Sequence, residues 1–244
     1  MAKHSHWHNI KHKKAINDKK KAGVIAKMGV LITVAVQLGG PNLNDNPRLR
    51  LAVFKAKSAK MNAEAIDRAI KKAAGEGSNG KQVVELMYEG YGPGGVAIVV
   101  DILTDNRNRT APEVKKLFEY GAGALGNPGC VAWQFKDKAI FLVEKTSEDR
   151  VLEILLAADA DAEDISSEED GVAIVAEPAQ FDRISKALTA AGLVVASAEL
   201  TKLPENMVDV AADKVAGIQE LLDSIDDHPD VQSVYHNAVF PAEA

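Results

Sequence analysis

Residues 138–203 read KAIFLVEKTSEDRVLEILLAADADAEDISSEEDGVAIVAEPAQFDRISKALTAAGLVVASAELTKL, and their pattern decides the fold class. Short β-rich runs alternate with stretches whose apolar residues recur every three to four positions. They predict a strand at Ala139–Val143, a helix at Glu148–Ala157, strands at Asp164–Ser166 and Gly171–Ala176, a helix at Ala179–Ala191 and a strand at Leu193–Leu200. That order, βαββαβ, is the ferredoxin-like pattern. The acidic run from Asp159 to Asp170 faintly resembles a calcium loop. Asp164, however, stands where the EF-hand needs glycine for its turn, so the run is a solvated connector.

Outward from this unit, a helix at Ala211–Asp223 precedes a strand at Val231–Tyr235 that requires a partner elsewhere. On the other side lie an apolar strand at Val96–Leu103, a short helix at Pro112–Tyr120 and a strand at Cys130–Phe135, which makes Cys130 a core residue. Pro112 fits a first helical turn, with Asn108 or Thr110 as its cap. Farther upstream, Val24–Leu38 predicts a helix stopped by Gly39-Gly40-Pro41, and Asn46-Pro47 opens another with Leu49, Val53 and Ala56 on one face. Asn62 caps a third, with the stripe Ala65, Ile66, Ala69 and Ile70. Gly75–Gly80 reads as a break. The class is α+β: an N-terminal basic arm and helical domain (1–80), a middle α/β domain (81–135 with 204–244) and an inserted ferredoxin-like domain (136–203), separately packed.

The formal charge of −6 conceals a division. Residues 1–72 hold 16 Lys and Arg against 4 Asp and Glu, and the remainder holds 13 against 31. A segment of net +12 joined to a body of net −18 is the pattern of a chain that meets a polyanion through one part. The first 21 residues, with seven lysines and four histidines, are too polar to build a core. One cysteine forbids an intrachain disulfide. The longest apolar stretch, 13 residues from Val24 to Val36, is interrupted by Lys27 and Thr33. A membrane span needs ~20. No secretory leader is legible, so a cytoplasmic location is expected.

Two stretches match G-x-G-x-x-G: Gly90, Gly92, Gly95 and Gly121, Gly123, Gly126. Neither follows a strand and opens a helix, the context a dinucleotide needs. They read as tight turns favouring positive φ, with Gly90–Gly95, among Tyr88, Tyr91 and Pro93, also an exposed loop able to contact nucleic acid or a ribosomal surface. His4, His6, His8 and His12 lack carboxylate or thiolate company and sit among lysines, which favours phosphate or base contacts over metal. Trp7 either stacks on a base or packs on the helical domain. Within Asp105-Asn-Arg-Asn-Arg-Thr110, Arg107 and Arg109 either grip phosphates or complete a helix start. No catalytic constellation, cofactor motif, small-molecule site or membrane segment emerges.

His4-Ser5, Trp7, Asn9-Ile10-Lys11-His12, Leu38-Gly39-Gly40, Asn46-Pro47-Arg48-Leu49-Arg50, Ile66-x-x-Ala69-Ile70-Lys71, Tyr88-Glu-Gly-Tyr-Gly-Pro-Gly-Gly95 and Leu103-Thr-Asp-Asn-Arg-Asn-Arg109 together closely resemble the YebC/PmpR family, over essentially the whole chain. The resemblance implies a non-enzymatic regulator of gene expression, either a DNA-binding transcriptional regulator or a translation factor on ribosomal RNA. It also implies that Val231–Tyr235 returns to the sheet of Val96–Leu103. Where the family has a charged pair in its second helix this chain has Val30 and Leu31; His6 and Met61-Asn62-Ala63 depart likewise. The charged face is thereby narrowed, and a partner is expected over Val30 and Leu31. The candidate nucleic-acid contacts are Lys3, Trp7, Lys11, Lys13, Lys14, Lys19, Lys20, Lys21, Arg48, Arg50, Arg107 and Arg109, with Tyr88, Gly90, Tyr91, Gly92, Pro93, Gly94 and Gly95 as the family loop. The loop and Arg107–Arg109 are expected on a common edge of the middle domain.

Overall fold

The structure, a computed structural model, describes residues 21–75 and 83–241. The chain forms two compact units: Phe135–Glu205, and the segments on either side of it, which together make the other. In chain order the elements are helices α1 (Lys21–Gly39), α2 (Pro47–Ser58) and α3 (Ala63–Ala74), then strands β1 (Val84–Tyr91) and β2 (Ala97–Thr104), helix α4 (Arg107–Tyr120) and strand β3 (Ala124–Leu125). Next come β4 (Phe135–Glu144), α5 (Glu148–Ala157), β5 (Asp164–Glu168), β6 (Gly171–Ala176), α6 (Phe181–Ala190) and β7 (Val194–Pro204). β8 (Val208–Asp209), α7 (Val215–Asp226), β9 (Val231–His236) and β10 (Ala238–Val239) close the chain.

The three N-terminal helices share a core of Ile32, Ala35, Leu49, Ala52, Ala56 and Ile66. The β-branched run of α1 has weak helix preference, so burial of its apolar face holds it helical. Asn46 joins two elements. Its side-chain oxygen accepts from the Leu49 N–H at 2.9 Å, capping α2, while its amide donates to the carbonyls of Ala35 and Gly40 at 2.8 Å each. Asn62 caps α3 through the Ala65 N–H at 2.7 Å. Leu31 packs against this core, so the chain itself covers the leucine for which an outside partner was expected.

The middle sheet runs β3-β1-β2-β9, all antiparallel. β9 does return to the apolar strand, pairing His236 with Ile98 and Val234 with Val100. Helices α4 and α7 supply Val114, Phe118, Ile218, Leu221 and Ile225 to the core over that sheet. Lys27 on α1 meets Asp226 at the end of α7, and Arg48 on α2 meets Glu85 on β1, so ion pairs join the helical layer to the sheet layer.

Phe135–Glu205 has sheet order β5-β6-β4-β7, again all antiparallel, the ferredoxin-like arrangement. Phe141 on β4 stacks on Phe181 of α6 with ring centroids 5.1 Å apart, fixing that helix on the sheet.

Three local readings are corrected. Helix α4 begins at Arg107, capped by the Asn106 side chain on the Arg109 N–H at 3.2 Å; Pro112 lies inside it and Thr110 is buried. Residues 130–134 are no strand: Cys130 ends a turn, half-buried, and Ala132–Gln134 form a 3-10 turn before β4. The backbone N–H groups a strand would have used there are taken by Glu89, as described below. Gly90 is a buried strand residue; a Cβ there would lie 2.5 Å from the Ala124 carbonyl and 2.6 Å from the Phe118 ring. Close packing requires that glycine. Of the six template glycines only Gly95 has positive φ.

Candidate nucleic-acid interface

Lys3, Trp7, Lys11, Lys13, Lys14, Lys19 and Lys20 lie outside the described residues, as does the histidine cluster; Lys21 opens α1. The remaining predicted cations divide sharply. Arg50 donates to the carbonyls of Leu43 and Asn44 at 2.9 Å each, clamping the loop before α2. Arg48 is paired with Glu85. Arg109 donates to Asp230 at 2.7 Å, flanked by Asp105 at 3.6 Å and Glu113 at 3.8 Å. Arg107 is exposed and forms no ion pair among the described residues.

Asp230, just before β9, is the centre of the Arg109 network. It also accepts from the hydroxyls of Thr110 at 2.6 Å and Thr104 at 3.0 Å. Burial pushes its carboxyl up, but these hydroxyls and the guanidinium outweigh burial and hold it below its ordinary value. The same bond, with the Asp230 charge, raises Arg109. Of the alternatives for this motif, the geometry makes Arg109 a tether between α4 and β9.

The other motif is built differently. Tyr88 packs on the sheet core, and β1 continues through Tyr91, so the turn itself is Gly92–Val96. Gly94 and Gly95 carry φ of +74° and +80° there, which only glycine adopts freely. Between Tyr88 and Gly90, Glu89 is 3% exposed. Its carboxylate accepts three backbone N–H bonds, from Gly129 at 2.6 Å, Val131 at 2.9 Å and Ala132 at 2.7 Å. Burial raises the Glu89 carboxyl, and the three donors outweigh that and bring it below its ordinary value. Cys130, inside the clamped loop, has its thiol pushed up by burial and by the Glu89 charge. The Cys130 carbonyl accepts from the Tyr91 hydroxyl and from the Trp133 indole N–H, both at 3.2 Å. Trp133, 64% exposed, was not anticipated by the sequence reading.

The two motifs do not share an edge. Tyr91 pairs with Ala97 at one end of the β1–β2 hairpin, while Val84 pairs with Thr104 at the other, next to Arg107. Seven rises of about 3.3 Å, from Ala97 to Thr104, separate the two ends by roughly 23 Å.

Residues 5–76 match the family model described as the TACO1/YebC protein N-terminal domain, and residues 83–238 match that of the TACO1/YebC second and third domain. The chain belongs to the TACO1/YebC family. A probable transcriptional regulatory protein of Clostridium tetani is 42% identical over 244 residues, covering 100% of this chain and 99% of that relative. A protein of the same name from Clostridium acetobutylicum is 44% identical, covering 98% of each. The crystal structure of a conserved hypothetical protein of Aquifex aeolicus matches with a TM-score of 0.80 at 38% identity, over 93% of both chains. TACO1/YebC relatives are thus named as regulatory proteins, and the mixed α+β fold is shared. Among the described residues no helix is long and apolar enough to cross a membrane.

Proposed function

We propose that this TACO1/YebC chain is a non-enzymatic, cytoplasmic regulator of gene expression that binds nucleic acid, DNA first, through its basic N-terminal part. The carrying observation is the net +12 over residues 1–72 against net −18 elsewhere. The relatives' name, probable transcriptional regulatory protein, points the same way. On this reading residues 1–80 are the nucleic-acid-facing domain, 81–135 with 204–244 the middle domain, and 136–203 an inserted unit that binds nucleic acid poorly. The contacts are Lys3, Lys11, Lys13, Lys14, Lys19, Lys20 and Lys21 with Trp7, joined by the exposed Arg107. Arg48 contributes only on leaving Glu85. Neither a cofactor nor a small-molecule substrate enters the scheme.

Phosphate neutralisation releases counterions, so affinity for duplex DNA falls with salt at a logarithmic slope of about −0.9 per contact. Changing Lys13, Lys14, Lys19 and Lys20 to glutamine flattens that slope, weakens binding broadly and leaves thermal stability nearly unchanged. The test titrates parent and variant against duplex DNA and ribosomal RNA at several salt concentrations. Identical affinities and slopes for the two proteins would remove the arm as the polyanion contact. Preference for ribosomal RNA at every salt concentration would replace DNA as the target.

A further inference from the structure

We infer that Tyr91 and Trp133 form a platform on which unpaired bases of a nucleic-acid strand stack; this deepens the nucleic-acid reading above and rests on it. Both rings stand at the glycine-turn end of the β1–β2 hairpin, 40% and 64% exposed. An exposed aromatic ring alone is unremarkable on a protein surface. Here two converge: the Tyr91 hydroxyl and the Trp133 N–H donate to the same Cys130 carbonyl, each at 3.2 Å. A carbonyl oxygen has two lone pairs, and both are used. The polar ends of the rings are therefore turned to that carbonyl, and what remains for a ligand is ring face. Such a surface recognises by stacking rather than by hydrogen-bond readout, and every base offers a ring face.

The platform is also held in place before any ligand arrives. Cys130 belongs to the loop that Glu89 fixes through the N–H groups of Gly129, Val131 and Ala132. Glu89 is itself a β1 residue, two positions from Tyr91, so one strand carries one ring and anchors the loop bearing the other. Two rings already fixed lose little freedom on binding. Lys214 lies against the same turn: its side chain passes Gly94, with Cδ 3.6 Å and Nζ 3.9 Å from where a Cβ would stand. A cation at the turn suits a strand whose backbone is charged and whose bases are free. A duplex keeps its bases stacked inside and offers the rings nothing. The platform itself lies outside the basic segment; the net +12 of residues 1–72 draws a polyanion, rather than an uncharged peptide, to the same chain.

Binding is read on the unaltered full chain as parent; Trp7→Phe, which leaves Trp133 as the only tryptophan, serves the emission measurement alone. Labelled oligo(dT) and oligo(rU), a duplex DNA of equal length and a proline-rich peptide are the probes. Single strands should quench Trp133 emission. Tyr91→Leu and Trp133→Leu, read by anisotropy of the labelled strand, should each weaken single-strand binding about 5- to 150-fold, the range of one stacked base. Duplex affinity should stay within about twofold. Tyr91→Phe and Trp133→Tyr keep a ring and should retain most of the affinity, which separates stacking from a general disturbance of the loop. Single-strand binding unchanged in the leucine variants overturns the platform, as does quenching by the peptide alone or a parent that binds duplex and ignores single strands. A parent that binds none of the nucleic acids overturns the proposed function as well.

Discussion

The two ends of the Val84–Thr104 hairpin use their motif residues in opposite senses. At the Arg107–Thr110 end the polar groups turn inward: Arg109, Thr110 and Thr104 converge on Asp230, which sits at 13% side-chain exposure. At the Tyr91–Gly95 end only the carboxylate of Glu89 turns inward, and the aromatic rings are left at the surface by the loop it holds. Both ends contain a carboxylate held below its ordinary pKa, one by side chains and one by backbone. A charged residue inside a short motif is thus no guide to ligand binding until its partner is known. Arg109 finds that partner 121 residues away.

The largest effect expected from breaking this contrast is at Asp230. Asp230→Ala removes the shared acceptor of Arg109, Thr110 and Thr104, and stability to urea should fall by about 3 kcal/mol, about 1 for each hydrogen bond lost. Nucleic-acid affinity of the folded variant should hardly change. A large affinity loss with stability intact would make the Arg109 end a binding site after all.

Glu89→Gln comes next, at about 2 kcal/mol, because the amide keeps one acceptor oxygen for three N–H donors. Its distinguishing signature is local. Trp133 emission should shift to the red and lose anisotropy, since the loop carrying the Cys130 carbonyl is loosened. An unchanged Trp133 spectrum would show that Glu89 does not hold the platform.

Acid separates the two carboxylates. Each has a folded pKa below its ordinary value, 3.8 for Asp230 and 4.5 for Glu89, so the stability each contributes is full above those values. That stability is lost as pH falls through the folded pKa values. The parent should therefore lose stability progressively below about pH 4.5. Asp230→Asn should show a flatter acid limb than the parent, and equal slopes would mean the network does not depress Asp230.

The smallest effects compare neighbouring arginines. Arg107→Gln should leave thermal stability unchanged and reduce the salt slope of DNA binding by about one. Arg109→Gln should do the reverse, lowering stability while leaving the slope alone. Interchanged results would reverse the assignment of the two side chains.

The regular elements were readable because their signals are local. Asn46 and Asn62 cap where they stand, and Glu148–Ala157 and Gly171–Ala176 have the bounds their periodicity gives. Val231–Tyr235 reads as a strand in need of a partner, the family resemblance names Val96–Leu103, and β9 pairs there. What failed was set by partners distant in sequence. Cys130–Phe135 reads as a strand with Cys130 in the core, and that pattern carries no signal for Trp133. The backbone N–H groups of Val131 and Ala132 are instead claimed by Glu89, about forty residues earlier, and the resulting turn rotates Trp133 outward while Val131 and Phe135 remain buried. No periodicity reports that. The dual nature of the Asp105–Thr110 run was likewise undecidable without Asp230.

Phe135 and Pro204, at opposite ends of the inserted unit, face each other as partners on adjacent strands. For the folding of the surrounding unit this is a short circuit. Pairing Ile98 with His236 requires the chain to close a very long loop, and long-range closure slows folding. Once β4 and β7 have zipped together, the intervening residues no longer lengthen that loop. The entropy saved is modest, about 0.6 kcal/mol for each halving of effective length. The kinetic order expected from this topology has the insert fold early and the sheet it interrupts completed afterwards.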